Sequence, residues 1–282
     1  MISQAAGPDF ICIGARKTGT TWLYNFLRAH PDCAMPRIKE INFFNSALAR
    51  RNSPEEALQK KWEEIRVKLK KPPDHPMPRS WVRNPASWYL KLFEREAGLI
   101  SGDISPLYQE IRDERVKAVH RLLPRLKVIY ILRHPLERIL SDFSMYANNR
   151  SVEVNTMAED ELFALLQRQY HTSMSYGEVY KRWAAHFPVA MFFYEDLKSE
   201  PERFADSLCR YLAITPAPAL VKKTKNPNPS RTFGPRPEVP PSVVRKLARM
   251  LLPETETLRA TIDNVHTQAW IEDIRHQADG SG

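Results

Sequence analysis

The chain has 282 residues, 43% of them apolar, which is enough sequence to bury the core of a single α/β domain. Its net charge of +9 favours anionic ligands. Its three scattered cysteines are too few for a disulfide framework or a metal site. No helix-turn-helix, zinc-finger or RRM signature points to nucleic acid. No run is long and apolar enough to span a bilayer and residues 1–9 lack a signal peptide's apolar stretch, so we expect a cytoplasmic protein, or a luminal catalytic domain trimmed of its anchor.

The first predicted strand, residues 10–14, leads into a loop suited to a phosphate-like anion. The loop reads Gly14-Ala15-Arg16-Lys17-Thr18-Gly19-Thr20-Thr21-Trp22 and opens a helical pattern. A helix that starts directly after a strand aims free backbone N–H groups and the positive end of its dipole at one point. The glycines allow a close backbone approach and Lys17 adds a full charge. The loop is not a Walker A motif, because Thr20 stands where that motif has its lysine, and it carries no magnesium-binding signature.

Strand-like and helix-like segments alternate along the rest of the chain. Apolar runs near 99–102, at 128–132 and at 189–194 are separated by helical patterns, which predicts a central parallel sheet flanked by helices. Residues 45–87 and 222–241 break the alternation, the first with a charged helix-like stretch at 54–71, and both are predicted to be long surface loops. We therefore predict one domain over 1–282, with a core at about 9–235, an insertion at about 45–87 and a C-terminal helical extension at about 236–278.

A second anion-binding motif follows the predicted strand at 128–132. Arg133 stands at the strand's carboxyl end, Pro135 suits the first turn of a helix, and Ser141 lies about two turns along that helix. In an open α/β sheet, ligands bind outside the carboxyl ends of the strands. An arginine fork and a hydroxyl at that edge form a second site for an anion.

Together the two motifs resemble the PAPS-dependent sulfotransferase family, PAPS being 3′-phosphoadenosine 5′-phosphosulfate. Residues 17–22 match the family's Lys-x-Gly-Thr-Thr-Trp core, and residues 133–141 match its R-x-P-x-x-R-x-x-S element. Segments 39–44, 102–108 and 192–197 are similar to segments of the heparan sulfate-type and bacterial members. The resemblance implies a single-domain P-loop-kinase-like sulfotransferase fold. It also implies an enzyme that moves a sulfuryl group from PAPS to an acceptor, releases PAP, and needs no metal.

The resemblance places the 5′-phosphosulfate on the first loop and the 3′-phosphate on Arg133 and Ser141. Lys17 is then the expected stabiliser of the leaving group, and backbone N–H groups of the loop hold the oxyanions. Trp22 either stacks on the adenine or packs in the core. Arg16 either contacts the donor or lies on the surface, and Arg138 either contacts the donor or forms an ion pair. The basic residues near 223–231 fall where the family closes a late loop over the nucleotide. The predicted donor-binding set is Arg16, Lys17, Thr18, Gly19, Thr20, Thr21, Trp22, Arg133, Arg138, Ser141, Lys225 and Arg231.

Glu40 is the predicted general base, because it lies in the segment that supplies the catalytic carboxylate of the resembling enzymes; its alternative is a surface or helix-capping role. The phenol and steroid sulfotransferases use a histidine instead, but His120 and His134 lie outside that motif. Asp103 and Ser105 are predicted either to contact the acceptor or to form a strand-end turn. Ile104 departs from the heparan-type pattern, which has a lysine there, and this removes a positive charge near the acceptor.

The acceptor is expected to be a small molecule or a glycan, and an anionic acceptor such as an acidic glycan is one alternative. A hydroxyl on a carbohydrate or natural product is favoured. Two other classes stay open. A nucleotide-dependent small-molecule kinase explains the first loop and the α/β pattern but requires a magnesium-binding carboxylate. A non-enzymatic polyanion-binding module explains only the charge.

Overall fold

A four-stranded parallel sheet organises the chain in the computed structural model, which describes residues 7–46, 66, 85–171, 175–224 and 237–280. The strands are β1 (Phe10–Gly14), β2 (Gly102–Ile104), β3 (Lys127–Leu132) and β4 (Val189–Phe193), and their order in the sheet is β2-β1-β3-β4. The register pairs Phe10 with Gly102 on one side of β1 and with Lys127 on the other. The predicted central parallel sheet is confirmed.

The second strand begins later than the sequence predicts. Ile100, inside the predicted segment, forms an isolated bridge with Cys33, and the ladder with β1 starts only at Gly102. The extended run is therefore shared between two partners.

Both faces of the sheet are covered, which is why its strands are continuous apolar runs rather than alternating ones. Residues of β1 alternate between two clusters, with Ile11 and Ile13 in one and Phe10 and Cys12 in the other. All five β1 residues are buried. Because these strands are buried on both faces, their carboxyl ends form a fixed edge on which loops can be placed.

The helices connect and cover the strands. Their bounds are α1 Thr20–Ala29, α2 Phe43–Ser46, α3 Pro85–Lys91, α4 Asp113–Leu122, α5 Pro135–Arg150, α6 Glu159–His171, α7 Tyr176–Ala184, α8 Tyr194–Ser199, α9 Pro201–Leu212, α10 Pro218–Lys223, α11 Pro241–Thr261 and α12 Val265–Asp279, with short 3-10 helices at Pro106–Glu110 and Val154–Thr156. None of the helices in the described ranges is both long and apolar enough to cross a membrane.

The C-terminal helices α11 and α12 pack on the helix that carries the second motif. Leu136 and Phe143 of α5 share a buried cluster with Leu247 of α11 and Ile274 of α12. The segment from 237 onward therefore packs against α5 and supports it. Most of the predicted insertion at about 45–87, including all of its charged stretch at 54–71 except residue 66, lies outside the described residues.

Candidate active site

The first loop joins β1 to α1 at the carboxyl edge of the sheet. Ala15 N donates to Ile131 O at 2.7 Å, and the buried Thr18 hydroxyl donates to Ala15 O at 2.7 Å. Gly19 caps α1 with φ 83°, and a Cβ there would lie 2.5 Å from Leu197 Cδ2, so the backbone conformation and the limited space both favour glycine. The first turn of α1 contains no acidic residue. Its free N–H groups and helix dipole therefore favour an anion.

Lys17 lies inside this loop in a left-handed conformation, with φ 66°. Its Nζ is 3.8 Å from Met145 Sδ of α5, so the amine is directed across the loop toward the second motif. Burial lowers the pKa of the Lys17 amine below its usual value, Asp142 opposes that shift, and Arg133 adds to it. An incoming anion stabilises the charged amine and is in turn stabilised by it.

Arg16 forms an ion pair with Asp142 of α5, with Nη2 and Oδ1 3.0 Å apart. The Asp142 side chain is 8% exposed and that of Arg16 is 30% exposed. Arg16, a predicted donor-binding residue, thus connects the first loop to α5 through this ion pair.

Arg133 brings the two motifs into contact. Its Nη1 donates to Lys17 O at 3.1 Å, its Nη2 donates to Glu137 Oε2 at 3.1 Å, and its guanidinium lies 4.8 Å from the centre of the Tyr194 ring. Pairing with a carboxylate and stacking on an aromatic ring hold the fork in one orientation. A cavity of about 550 Å³ opens beside it, lined also by Trp270 of α12.

The remaining residues of the second motif lie on α5. Ser141 is 8% exposed and Arg138 is 3% exposed, with the Arg138 guanidinium 4.7 Å from the centre of the Tyr176 ring. Arg138 is thus buried behind the site. His134 caps the start of α5: its Nδ1 accepts from Glu137 N at 3.4 Å, and its Nε2 lies 3.2 Å from Asp273 Oδ2.

Glu40 lies at the carboxyl end of β2, next to the first loop's strand. Its N donates to Ile104 O at 3.1 Å, and Lys39 Nζ lies 2.5 Å from its Oε1. The Glu40 side chain is 43% exposed, so the carboxylate remains accessible from solvent. Glu40 has φ 59° and Asn42 has φ 51°, so this turn carries two left-handed residues that are not glycine.

Of the two roles predicted for Asp103 and Ser105, the structure favours the strand-end turn over contact with the acceptor. Both residues are 0% exposed. The Ser105 hydroxyl donates to Asp103 Oδ1 at 2.7 Å, and the Tyr108 and Tyr89 hydroxyls donate to Oδ2 at 2.6 and 3.1 Å. Burial is the physical reason, because these side chains hold the strand-end turn from inside. The Tyr89 and Tyr108 hydroxyls were missed in the sequence. The G-x-x-S-P-x-Y spacing offered a signal for Tyr108 but none for Tyr89.

The Trp22 ring lies in the core rather than at an exposed platform. The ring is 1% exposed and stacks on Phe26 with centroids 5.1 Å apart. It also packs against Phe204 in a T-shaped arrangement. This position favours the packing role over stacking on adenine. Lys225 and Arg231 lie outside the described residues, and Lys223 ends α10 with an exposed side chain.

Comparisons with known proteins identify relatives of this arrangement. The sequence profile described as Sulfotransferase family matches residues 8–218. A mouse bifunctional heparan sulfate N-deacetylase/N-sulfotransferase 4 is 25% identical over 233 residues, which is 74% of this chain and 22% of that protein. The human heparan sulfate glucosamine 3-O-sulfotransferase 6 is 24% identical over 278 residues, covering 87% of this chain and 69% of that one. The chain thus spans less than a quarter of the bifunctional relative.

A solved structure shares the fold. The crystal structure of a sulfotransferase from Alicyclobacillus acidocaldarius covers 94% of this chain and 99% of its own, with a TM-score of 0.64 and 23% identity. In the part of the chain that the structure describes, no cluster of three or more His, Cys, Asp or Glu side chains could hold a metal ion.

Proposed function

The chain belongs to the sulfotransferase family, and we propose that it moves the sulfuryl group of PAPS to a hydroxyl on a carbohydrate or natural product. Membership confirms the family predicted from the two motifs and makes the chain a sulfotransferase enzyme. The observation that carries the assignment of the donor is the hydrogen bond from Arg133 to Lys17 O at 3.1 Å, because it puts both anion sites beside one another. A nucleotide with a phosphate at each end of its ribose matches that pair of sites.

In the proposed complex, N–H groups of residues 18–21 and the Lys17 amine hold the 5′-phosphosulfate. Arg133 and Ser141 hold the 3′-phosphate, after Arg133 exchanges its Glu137 partner for the ligand. Arg16 supports the loop through Asp142 and Arg138 supports α5 from within. The rigid edge of the sheet fixes the distance between the two ends of the donor.

The proposed reaction is an in-line displacement at sulfur. The acceptor oxygen forms a new S–O bond while the bond from sulfur to the 5′-phosphate oxygen breaks, so PAP leaves with the bonding electron pair. Lys17 neutralises the charge that develops on the phosphate oxygen. Glu40 accepts the hydroxyl proton of the acceptor. This chemistry is mainly alignment and charge neutralisation, by analogy with phosphoryl transfer.

The carboxyl edge of β2 supports the acceptor class that we propose. Ile104 is 2% exposed there, where the heparan-type pattern has a lysine, so one positive charge is missing beside Glu40. The names of both relatives specify heparan sulfate, and the name of the human relative specifies its glucosamine. We favour a hydroxyl acceptor of lower negative charge for this chain.

Isothermal titration tests the donor assignment. The parent protein is expected to bind PAP with a Kd of about 1 μM or lower without magnesium, since two charge-assisted sites act on one ligand. ATP, which lacks a 3′-phosphate, is the matched control ligand and is expected to bind far more weakly. A chain that binds ATP tightly only with magnesium and ignores PAP would contradict the proposal and favour a kinase.

A further inference from the structure

A buried carboxylate lies directly behind the turn that carries Glu40. Asp103 is 0% exposed and receives hydroxyl hydrogen bonds from Ser105 at 2.7 Å, Tyr108 at 2.6 Å and Tyr89 at 3.1 Å. A buried carboxylate is costly unless such donors satisfy it. The donors here come from three elements: the end of β2, the following 3-10 helix and α3.

Two of these hydroxyls continue to the backbone of the Glu40 turn. Ser105 Oγ accepts from Asn42 N at 3.0 Å, and the Tyr108 hydroxyl oxygen accepts from Phe43 N at 3.0 Å. A hydroxyl has a single proton, so each must donate that proton to Asp103 while it accepts from the backbone. Burial and the charge of Asp103 raise the pKa of Tyr108 well above its usual value, so its hydroxyl keeps that proton.

The turn needs such external support. Glu40 and Asn42 both adopt positive φ, which is unfavourable for residues other than glycine and persists only when surrounding contacts impose it. Further bonds run from the same region: Asn45 Nδ2 donates to Leu107 O at 2.8 Å and Arg115 Nη1 donates to Phe44 O at 2.8 Å. The two hydroxyl links converge on one buried carboxylate, that of Asp103.

We propose that Asp103 is a positioning residue that holds the Glu40 turn in its reactive conformation through the Ser105 and Tyr108 hydroxyls. The inference rests on the proposed role of Glu40 as the base. Asp103 touches neither donor nor acceptor and acts through the backbone of residues 42 and 43. An ionised carboxylate is an acceptor-only group and can accept from all three hydroxyls.

The test compares Tyr108→Phe with Tyr89→Phe. Each removes one hydroxyl from Asp103 Oδ2, but only the Tyr108 hydroxyl also holds Phe43 N. Hydrogen–deuterium exchange of the peptide covering residues 39–45 is expected to accelerate in Tyr108→Phe and to change little in Tyr89→Phe. In sulfuryl transfer, Tyr108→Phe is expected to lower kcat by about 10- to 100-fold with the donor's KM unchanged, because a displaced base misaligns the acceptor.

In Asp103→Asn, an amide NH₂ group replaces one acceptor oxygen and faces the hydroxyl donors. As in Tyr108→Phe, we expect kcat to fall while the donor's KM stays unchanged. In a Glu40→Gln background, Asp103→Asn should cost little further activity, since both act on one step. Equal exchange and equal kcat in the two tyrosine variants, or a fully additive double variant, would overturn the positioning role. Faster exchange in Tyr108→Phe without any transfer by the parent would instead refute the proposed reaction.

Discussion

Replacing Lys17 by alanine is expected to lower kcat for sulfuryl transfer by about 10²–10³-fold, the range found when a preorganised oxyanion donor is removed. The amine is half-buried in the first loop and points toward Met145 of α5, where the phosphosulfate is proposed to lie. Negative charge on the departing phosphate oxygen grows between the ground state and the transition state, so the loss should fall mainly on kcat. Initial-rate measurements with saturating donor report it.

The matched control is Lys117→Ala on α4. Lys117 is 52% exposed and pairs with Asp113, one turn earlier on the same helix. Surface pairs of this kind contribute little, so its activity should equal that of the parent. Parental kcat in Lys17→Ala would remove Lys17 from the leaving-group role.

Replacing Glu40 by glutamine is expected to lower kcat by about 10²–10⁴-fold, the contribution typical of a general base. The amide keeps the size of the side chain and its place beside Lys39 but cannot take a proton. Affinity for PAP should stay at the parental value, because Glu40 lies at the end of β2 and not in either anion site. Transfer assays and titration with PAP on the same protein separate the two effects.

Glu96→Gln serves as the control for this charge change, since Glu96 is an exposed acidic residue before β2. It should leave both kcat and PAP binding unchanged. Full activity in Glu40→Gln would mean that another group takes the acceptor's proton.

The loops that carry the site were predictable because their signals are local. The apolar run before Gly14 and the Arg-x-Pro pattern after β3 each specify a strand, a turn and a helix start within a few residues. The bond between Arg133 and Lys17 O joins residues 116 positions apart, and it depends on β1 and β3 being neighbours in the sheet. Strand order is a property of the whole packed domain, so no local pattern reveals it.

Burial favours one of the two roles that the sequence left open for Asp103 and for Trp22. Asp103 has the chemistry of an acceptor contact, but two tyrosines and Ser105 enclose it. Trp22 follows the loop directly, yet it also stands four residues before Phe26 on the buried face of α1. A residue type indicates what a side chain can do, whereas its neighbours from other elements decide which of those roles remains possible.

The most direct test of the two-site account is the ligand selectivity of Arg133→Ala, measured by titration with PAP and with adenosine 5′-phosphate. Only PAP has the 3′-phosphate, so the variant should lose about tenfold to a hundredfold in PAP affinity, as expected for charged hydrogen bonds, and keep its affinity for adenosine 5′-phosphate. Arg133→Ala also removes the hydrogen bond to Lys17 O, so a loss of affinity for adenosine 5′-phosphate would report a disturbance of the first loop. Equal losses for both ligands, or no loss for either, would contradict the claim that the two sites bind opposite ends of one nucleotide.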